Sequence, residues 1–140
     1  MLFRSTQALG TKAGLNRMWC AKQLVGEGPA NVEVTMDLSN RPCLTHNLAL
    51  EDVSEEKVGD LSVEMLDHVL DSLVVNGRMT VHIVLNEEPV NGDSKNGKQS
   101  SLQDRAMATA AAFGKALKYC AMVDYRRAGQ TASSKGTLSV

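Results

Sequence analysis

The sequence predicts an α+β domain in which an open, mixed or antiparallel sheet is backed by two helices. Three observations predict this class: 140 residues are enough for one domain, three segments alternate apolar and polar residues like strands, and two segments repeat apolar residues with the period of a helix. A composition of 43% apolar and 22% charged residues excludes collagen-like, coiled-coil and wholly disordered chains. No apolar run approaches the ~20 residues that a membrane-spanning helix needs.

The first two strands are predicted on either side of a turn. From Val32 to Leu38, apolar residues fall on one face and polar residues on the other. Residues 40–42, Asn-Arg-Pro, form a turn, and the alternation resumes from Leu44 to Leu50. Because the two strands follow each other across a short turn, we expect them to pair as a hairpin.

A helix is predicted after these strands. Residues 61–75 carry apolar residues at helical spacing, and Asn76-Gly77 is a typical signal for the C-terminal end of a helix. The stripe that we expect to face the core consists of Val63, Leu66, Val69, Leu70 and Leu73.

A third strand and a second helix complete the predicted domain. The strand runs from Arg78 to Leu85 and alternates throughout. The polar segment 86–101 follows, and loops of this length are usually functional or mobile. The Ala-rich helix runs from Leu102 to Val123. Its buried side is expected to consist of Met107, Ala110, Phe113 or Gly114, Leu117, and Cys120 or Ala121.

The net charge of −1 hides an uneven distribution of charge. Residues 1–26 contain four basic and no acidic residues, residues 27–93 contain fourteen acidic and three basic residues, and residues 94–140 contain eight basic and two acidic residues. A basic, acid-free N-terminus interrupted by apolar residues is typical of a mitochondrial transit peptide. We therefore predict that residues 1–30 are a leader to the mitochondrial matrix. The alternative is a basic arm that stays on the mature protein and contacts a partner or an RNA backbone.

Several short strings together resemble one family, the imidazoleglycerol-phosphate dehydratases of histidine biosynthesis, and specifically their C-terminal half. The strings are D-L-S-N-R-P at 37–42, V-G-x(5)-M-L-D-H-V-L-D-S-L at 58–73, M-T-V-H-I at 79–83, A-x-x-K-A-L-K at 112–118, D-Y-R-R-A-G at 124–129 and S-S-K-G-T-L-S at 133–139. The resemblance implies one half of the duplicated dehydratase fold, which is like the second domain of ribosomal protein S5. It also implies large symmetric particles whose manganese sites lie between subunits.

We therefore divide the chain into three parts. Residues 1–30 are the leader, residues 31–125 are a dehydratase-like half-domain that includes the long loop 86–101, and residues 126–140 are a basic extended tail. The first half of the duplicated fold has no counterpart in this division.

One metal-ligand position of the resemblance is kept, and others are lost. His68 matches the histidine of the family's metal-bearing helix, and helical spacing places Glu64 and Asp71 on the same face. The family's H-H-x-x-E pattern falls on Gln103, Asp104 and Met107, which do not supply its imidazole and carboxylate ligands. We predict that His68 is a vestigial metal ligand and that the chain alone builds no metal site. The other two histidines, His46 and His82, are expected to be structural strand residues.

The tail keeps the chemistry of an anion site. The residues that match the family's phosphate-binding positions are Arg126, Arg127, Ser133, Ser134 and Lys135. Guanidinium forks, an ammonium and hydroxyls are suitable donors for phosphate. The alternative is a basic tail that docks on acidic residues of the 27–93 segment or on another subunit.

The sequence therefore predicts a non-catalytic, dehydratase-like half-domain that is a structural or assembly subunit of a larger mitochondrial complex. Its expected partners are other protein subunits, with RNA or anion contact through the basic ends, and no cofactor is predicted. Two alternatives stay open: a manganese-dependent lyase completed by a partner chain, and a module that binds anions or RNA phosphate.

Overall fold

The computed structural model describes residues 4–28, 30–50, 57–87 and 100–130, with side chains from residue 7 onward. A 3₁₀ helix, Tyr125–Arg127, follows the last α-helix. The helices and strands are, in chain order, α1 (Arg4–Leu9), β1 (Met18–Leu24), β2 (Asn31–Asp37), β3 (Cys43–His46), β4 (Lys57–Val58), β5 (Leu61–Ser62), α2 (Val63–Gly77), β6 (Thr80–Asn86) and α3 (Leu102–Cys120).

The sheet is mixed and has the strand order β1-β2-β6-β3. The pairs β1–β2 and β2–β6 are antiparallel, and β3 lies parallel to β6. Apolar side chains of β2 and β6 at alternate positions are buried on one face, and α3 packs on β1 and β2 while α2 contacts β3. The predicted α+β class, with an open sheet backed by helices, is confirmed. None of the helices in the described residues is long and apolar enough to cross a bilayer.

The predicted hairpin between residues 32–38 and 44–50 is wrong. β2 is flanked by β1 on one side and by β6 on the other, so neither of its edges is available to β3. β3 instead crosses to the far side of β6 and pairs with it in parallel, with Cys43 opposite Thr80. The alternation predicted a strand there, but it does not specify the partner of that strand.

The predicted boundary at residue 31 differs from the structure. Met18–Leu24 forms a strand of the sheet, so part of the predicted leader belongs to the domain. Lys12 is also buried, and its ammonium donates hydrogen bonds to the carbonyl oxygens of Gly77 (3.1 Å) and Arg78 (3.2 Å) at the C-terminal end of α2. Burial lowers the pKa of Lys12.

Basic residues near β1 form ion pairs with acidic residues of β2. Arg17 forms an ion pair of 2.7 Å with Asp37, and Lys22 forms one of 2.6 Å with Glu33. The basic N-terminal segment therefore meets acidic residues of β2 across the antiparallel pair. Arg17 and Lys22 are therefore explained by their partners in β2 and do not require a leader that extends to residue 30.

The predicted buried faces of both helices need correction. In α3, Met107 and Ala110 are exposed, and the buried residues are Leu102, Arg105, Ala108, Thr109, Ala112, Phe113, Ala116 and Cys120. In α2, Val69 and Leu73 are 42% and 47% exposed, whereas Val74 is fully buried. The apolar stripe of α2 therefore covers the core only in part.

Arg105 is a fully buried cation near the start of α3. Its guanidinium donates to the carbonyl oxygens of Leu48 (2.9 Å) and Ala49 (3.0 Å), to Ser100 Oγ (2.8 Å) and to Glu87 Oε1 (3.0 Å). These bonds join the segment after β3, the end of β6 and the start of α3. A buried guanidinium is tolerated only when its donors are satisfied in this way.

We predict that Arg105→Met lowers the free energy of unfolding by about 3 kcal/mol, because it leaves the buried carbonyl oxygens and Glu87 without their donor. Urea unfolding followed by circular dichroism measures the loss. Lys118→Met removes an exposed cation from the same helix and is the control, with an expected change below about 0.5 kcal/mol. Equal losses in the two variants would contradict the role given to Arg105.

Candidate functional site

An open cavity of about 490 Å³ lies between β3 and α2. It contains imidazole and carboxylate groups, which are common general acids, bases and metal ligands. The residues that line it are Leu44 and His46 from β3 and Glu64, Met65, Asp67, His68 and Asp71 from α2.

Helical geometry brings the predicted group around His68 together. The hydroxyl of Ser62 accepts a hydrogen bond from the Met65 backbone N–H (3.3 Å) and caps the N-terminus of α2. From this start, spacings of four and three residues place Glu64, His68 and Asp71 on one face. All three line the cavity.

The cavity also contains a contact that the sequence analysis missed. His46 Nε2 lies 3.0 Å from Asp67 Oδ1, and this pair joins β3 to α2. Alternation with Leu44 places His46 on the helix side of the sheet, but no local signal relates residue 46 to residue 67. By contrast, His82 is exposed on the opposite face of the sheet.

The donors near His68 do not fit a manganese ion held by this chain alone. The cavity is lined by β3 and α2, and Gln103, Asp104 and Met107 at the start of α3 are not among its residues. The side chain of Met107 is 63% exposed. Within the described ranges, no group of three His, Cys, Asp or Glu side chains is arranged to hold a metal ion.

The Asp104 side chain interacts with the N-cap residue of α3. The Ser101 hydroxyl accepts a hydrogen bond from the Asp104 backbone N–H (3.1 Å) and donates one to Asp104 Oδ2 (2.7 Å), which caps the N-terminus of α3. The carboxylate also lies against the turn between β1 and β2, where a Cβ on Gly26 would come within 3.1 Å of Oδ2. Its negative charge suits the first turn of a helix.

The two arginines of the predicted anion site, Arg126 and Arg127, contact different partners within the chain. Arg126 forms an ion pair of 3.0 Å with Asp124, and their hydrogen bond lowers the pKa of Asp124 and raises that of Arg126. Arg127 donates to the carbonyl oxygen of Asn16 (3.1 Å). The other predicted residues, Ser133, Ser134 and Lys135, lie outside the described residues. Anion binding by this group stays a prediction.

A second cavity, of about 230 Å³, separates α2 from α3, and we call it the helical groove. Side chains of Leu66, Val69, Leu70 and Leu73 form one wall. The other wall consists of Ala106, Thr109, Ala110, Phe113 and Gly114, and its floor consists of Leu48 and Leu50. The stripe of α2 that we expected in the core thus faces an open apolar groove.

The fold and these residues match one family of proteins. The family model described as imidazoleglycerol-phosphate dehydratase matches residues 4–117. The chain belongs to the imidazoleglycerol-phosphate dehydratase family. It is 35% identical over 133 residues to the chloroplastic imidazoleglycerol-phosphate dehydratase of Pisum sativum, covering 95% of this chain and 42% of the relative. It is 36% identical over 135 residues to the enzyme of that name from Neurospora crassa, covering 96% of this chain and 52% of the relative.

Solved imidazoleglycerol-phosphate dehydratases share the fold. The crystal structure from Staphylococcus aureus superimposes with a TM-score of 0.64 at 23% identity, covering 85% of this chain and 60% of that one. The structure from Pyrococcus furiosus gives a TM-score of 0.61 at 20% identity, covering 87% and 57%. The chain spans about half the length of the curated relatives that it matches.

We predict that Asp104→Ala lowers the free energy of unfolding by about 1 kcal/mol, because α3 loses the hydrogen bond from the Ser101 hydroxyl to the Asp104 carboxylate and the negative charge in its first turn. Gln103→Ala, at the neighbouring exposed position, is the matched control and should change stability by less than about 0.5 kcal/mol. Urea unfolding of both variants measures the difference. Equal stability of Asp104→Ala and the unmodified chain would contradict the capping role.

Proposed function

We propose that this half-domain is a non-catalytic structural subunit that packs its helical groove against a second dehydratase-type half carried by a partner. One observation carries the non-catalytic part. The positions that the resemblance assigns to H-H-x-x-E hold Gln103, Asp104 and Met107, and the Asp104 carboxylate accepts a hydrogen bond from Ser101, the N-cap residue of its own helix. The chain therefore does not supply the ligand set that dehydration of imidazoleglycerol phosphate would need from these positions.

The helical groove supports the structural part of the proposal. Val69 and Leu73 expose much of their apolar surface there, opposite the small residues Ala110 and Gly114 of α3. Small residues let another backbone approach closely, and exposed apolar patches are typical of protein interfaces. Because the matched relatives are about twice as long, a second half-domain has the size and ancestry to fill the groove.

A lyase completed by a partner chain is the second candidate. The cavity that holds His46, Asp67 and His68 supports it, because imidazole and carboxylate groups there are open to a neighbouring molecule. In this case the partner would supply the remaining manganese ligands, and the metal would stabilise the anion formed during dehydration.

The proposal predicts that a partner co-purifies with the chain in equal amount and is released by Leu73→Asp, which places a charge in the groove. Val75→Asp is the matched control, because Val75 is equally exposed on α2 (47%) but does not line the groove. Quantitative mass spectrometry of the native complex measures the partner before and after each change.

Two results decide between the candidates. Retention of the partner by Val75→Asp and its loss from Leu73→Asp would support the groove as the interface, whereas equal retention contradicts it. Turnover of imidazoleglycerol phosphate by the complex, abolished by His68→Ala, would replace the structural role with the lyase. All three variants need a folded state, which circular dichroism checks.

We also propose that the chain resides in the mitochondrial matrix, from the basic, acid-free composition of residues 1–26. Because Lys12 and Met18–Leu24 are parts of the fold, any processing should leave them on the mature chain. N-terminal sequencing of the chain isolated from mitochondria should therefore find a start at or before residue 12. A start after residue 12, or absence of the chain from that fraction, contradicts this.

A further inference from the structure

The outer edge of β1 carries a row of backbone groups without a strand partner in the described residues. β1 ends the sheet order, and its other edge pairs with β2. The Arg17 carbonyl oxygen accepts from Leu38 N–H (3.0 Å), and Val25 N–H donates to the Ala30 carbonyl oxygen (2.8 Å). Backbone groups alternate between the two edges of a strand. The N–H and C=O groups of odd-numbered residues of β1 therefore point toward β2, and those of even-numbered residues point outward.

Side chains do little to protect this edge. Met18 and Leu24, at its two ends, are 56% and 62% exposed. Lys22 is its only charged side chain, and the ammonium is held by Glu33 at 2.6 Å. Its register against β2 is continuous, so no bulge interrupts it. Natural edge strands of this length usually carry several charges, a proline or a bulge, which prevent pairing with another strand.

We propose that β1 pairs in an antiparallel manner with β1 of a second copy of this chain, about a two-fold axis at Ala21. The axis places Met18 of each copy opposite Leu24 of the other, so the two exposed apolar ends cover each other. It also places Cys20 opposite Lys22. In both pairs the backbone N–H and C=O groups point outward from β1, as hydrogen-bonded pairs require. Met18 takes part through its carbonyl oxygen, because its N–H donates to Asn16.

Other registers satisfy the edge less well. A shift that centres the pair on residue 22 places Lys22 opposite Lys22, which is a like-charge contact. A shift that centres it on residue 20 places Met18 opposite Lys22 and leaves Leu24 beyond the end of the partner strand. The Ala21 register alone uses the whole strand, and this symmetry is the reason to choose a second copy as the occupant.

The helices are placed correctly for this pairing. α3 packs on both β1 and β2. With strands ~4.8 Å apart, the α3 helices of two joined copies lie about 10 Å apart, which is an ordinary distance between packed helices. On this side Trp19, which stacks on Tyr119 at 4.8 Å, lies opposite Gln23 of the other copy. Gln23 is already oriented by a hydrogen bond from Lys115 (2.6 Å).

Proline substitution tests the edge without touching the β1–β2 ladder. We expect the full chain to be a dimer in sedimentation equilibrium. Lys22→Pro removes one outward N–H from each copy and should raise the dissociation constant at least ~tenfold. Lys22→Gln keeps the N–H and is the matched control, expected to stay dimeric. A monomeric chain, or a dimer that Lys22→Pro leaves intact and Leu73→Asp dissociates, would overturn the proposal.

Oxidative crosslinking tests the register. In a Cys43→Ser background, Lys22→Cys should form a disulfide with Cys20 of the other copy, because directly opposed residues have Cα atoms about 5.5 Å apart. Leu24→Cys, which lies opposite Met18, should not crosslink with Cys20. Removal of Cys20 by Cys20→Ser should abolish the Lys22→Cys crosslink. Equal crosslinking of Lys22→Cys and Leu24→Cys would refute this register, even in a dimer.

Discussion

The buried guanidinium of Arg105 is the constraint on which the rest of the described fold depends. A buried cation is tolerated only when nearby acceptors satisfy its hydrogen-bond donors. Arg105 finds them in Leu48, Ala49, Ser100 and Glu87. These bonds hold the segment after β3 against α3 and thereby place the floor of the helical groove.

The inward direction of Arg105 also determines which residues of α3 are available for chemistry. At 100° per residue, positions 103 and 107 share a face that points away from position 105. Gln103 and Met107 are accordingly exposed, and neither lines the cavity that contains His68. The phase of α3 thus separates the positions that the resemblance assigns to metal ligands from the histidine that α2 retains.

How much could be predicted from the sequence depended on whether the signal was local. The alternation of Val32, Val34 and Met36 identified β2, and similar alternation identified β6. The pairing of β3 with β6 could not be predicted, because it depends on strands distant in sequence that occupy both edges of β2.

Basic residues caused the other wrong predictions, which concern the end of the leader and the buried face of α3. The basic composition before β2 placed the end of the predicted leader at residue 30, but Arg17 and Lys22 are paired with Asp37 and Glu33 of β2. The phase of α3 was misassigned because an arginine, Arg105, occupies the buried face. In the candidate site, helical spacing found Glu64, His68 and Asp71, whereas the contact of His46 with Asp67 depends on the strand order.

The most direct test of the non-catalytic proposal is the manganese content of the native complex with and without His68→Ala, measured by inductively coupled plasma mass spectrometry. We predict that the substitution leaves the manganese content per chain unchanged, because the ligand positions of α3 hold Gln103, Asp104 and Met107. Loss of one manganese ion per chain on His68→Ala would contradict the non-catalytic proposal and would favour the lyase.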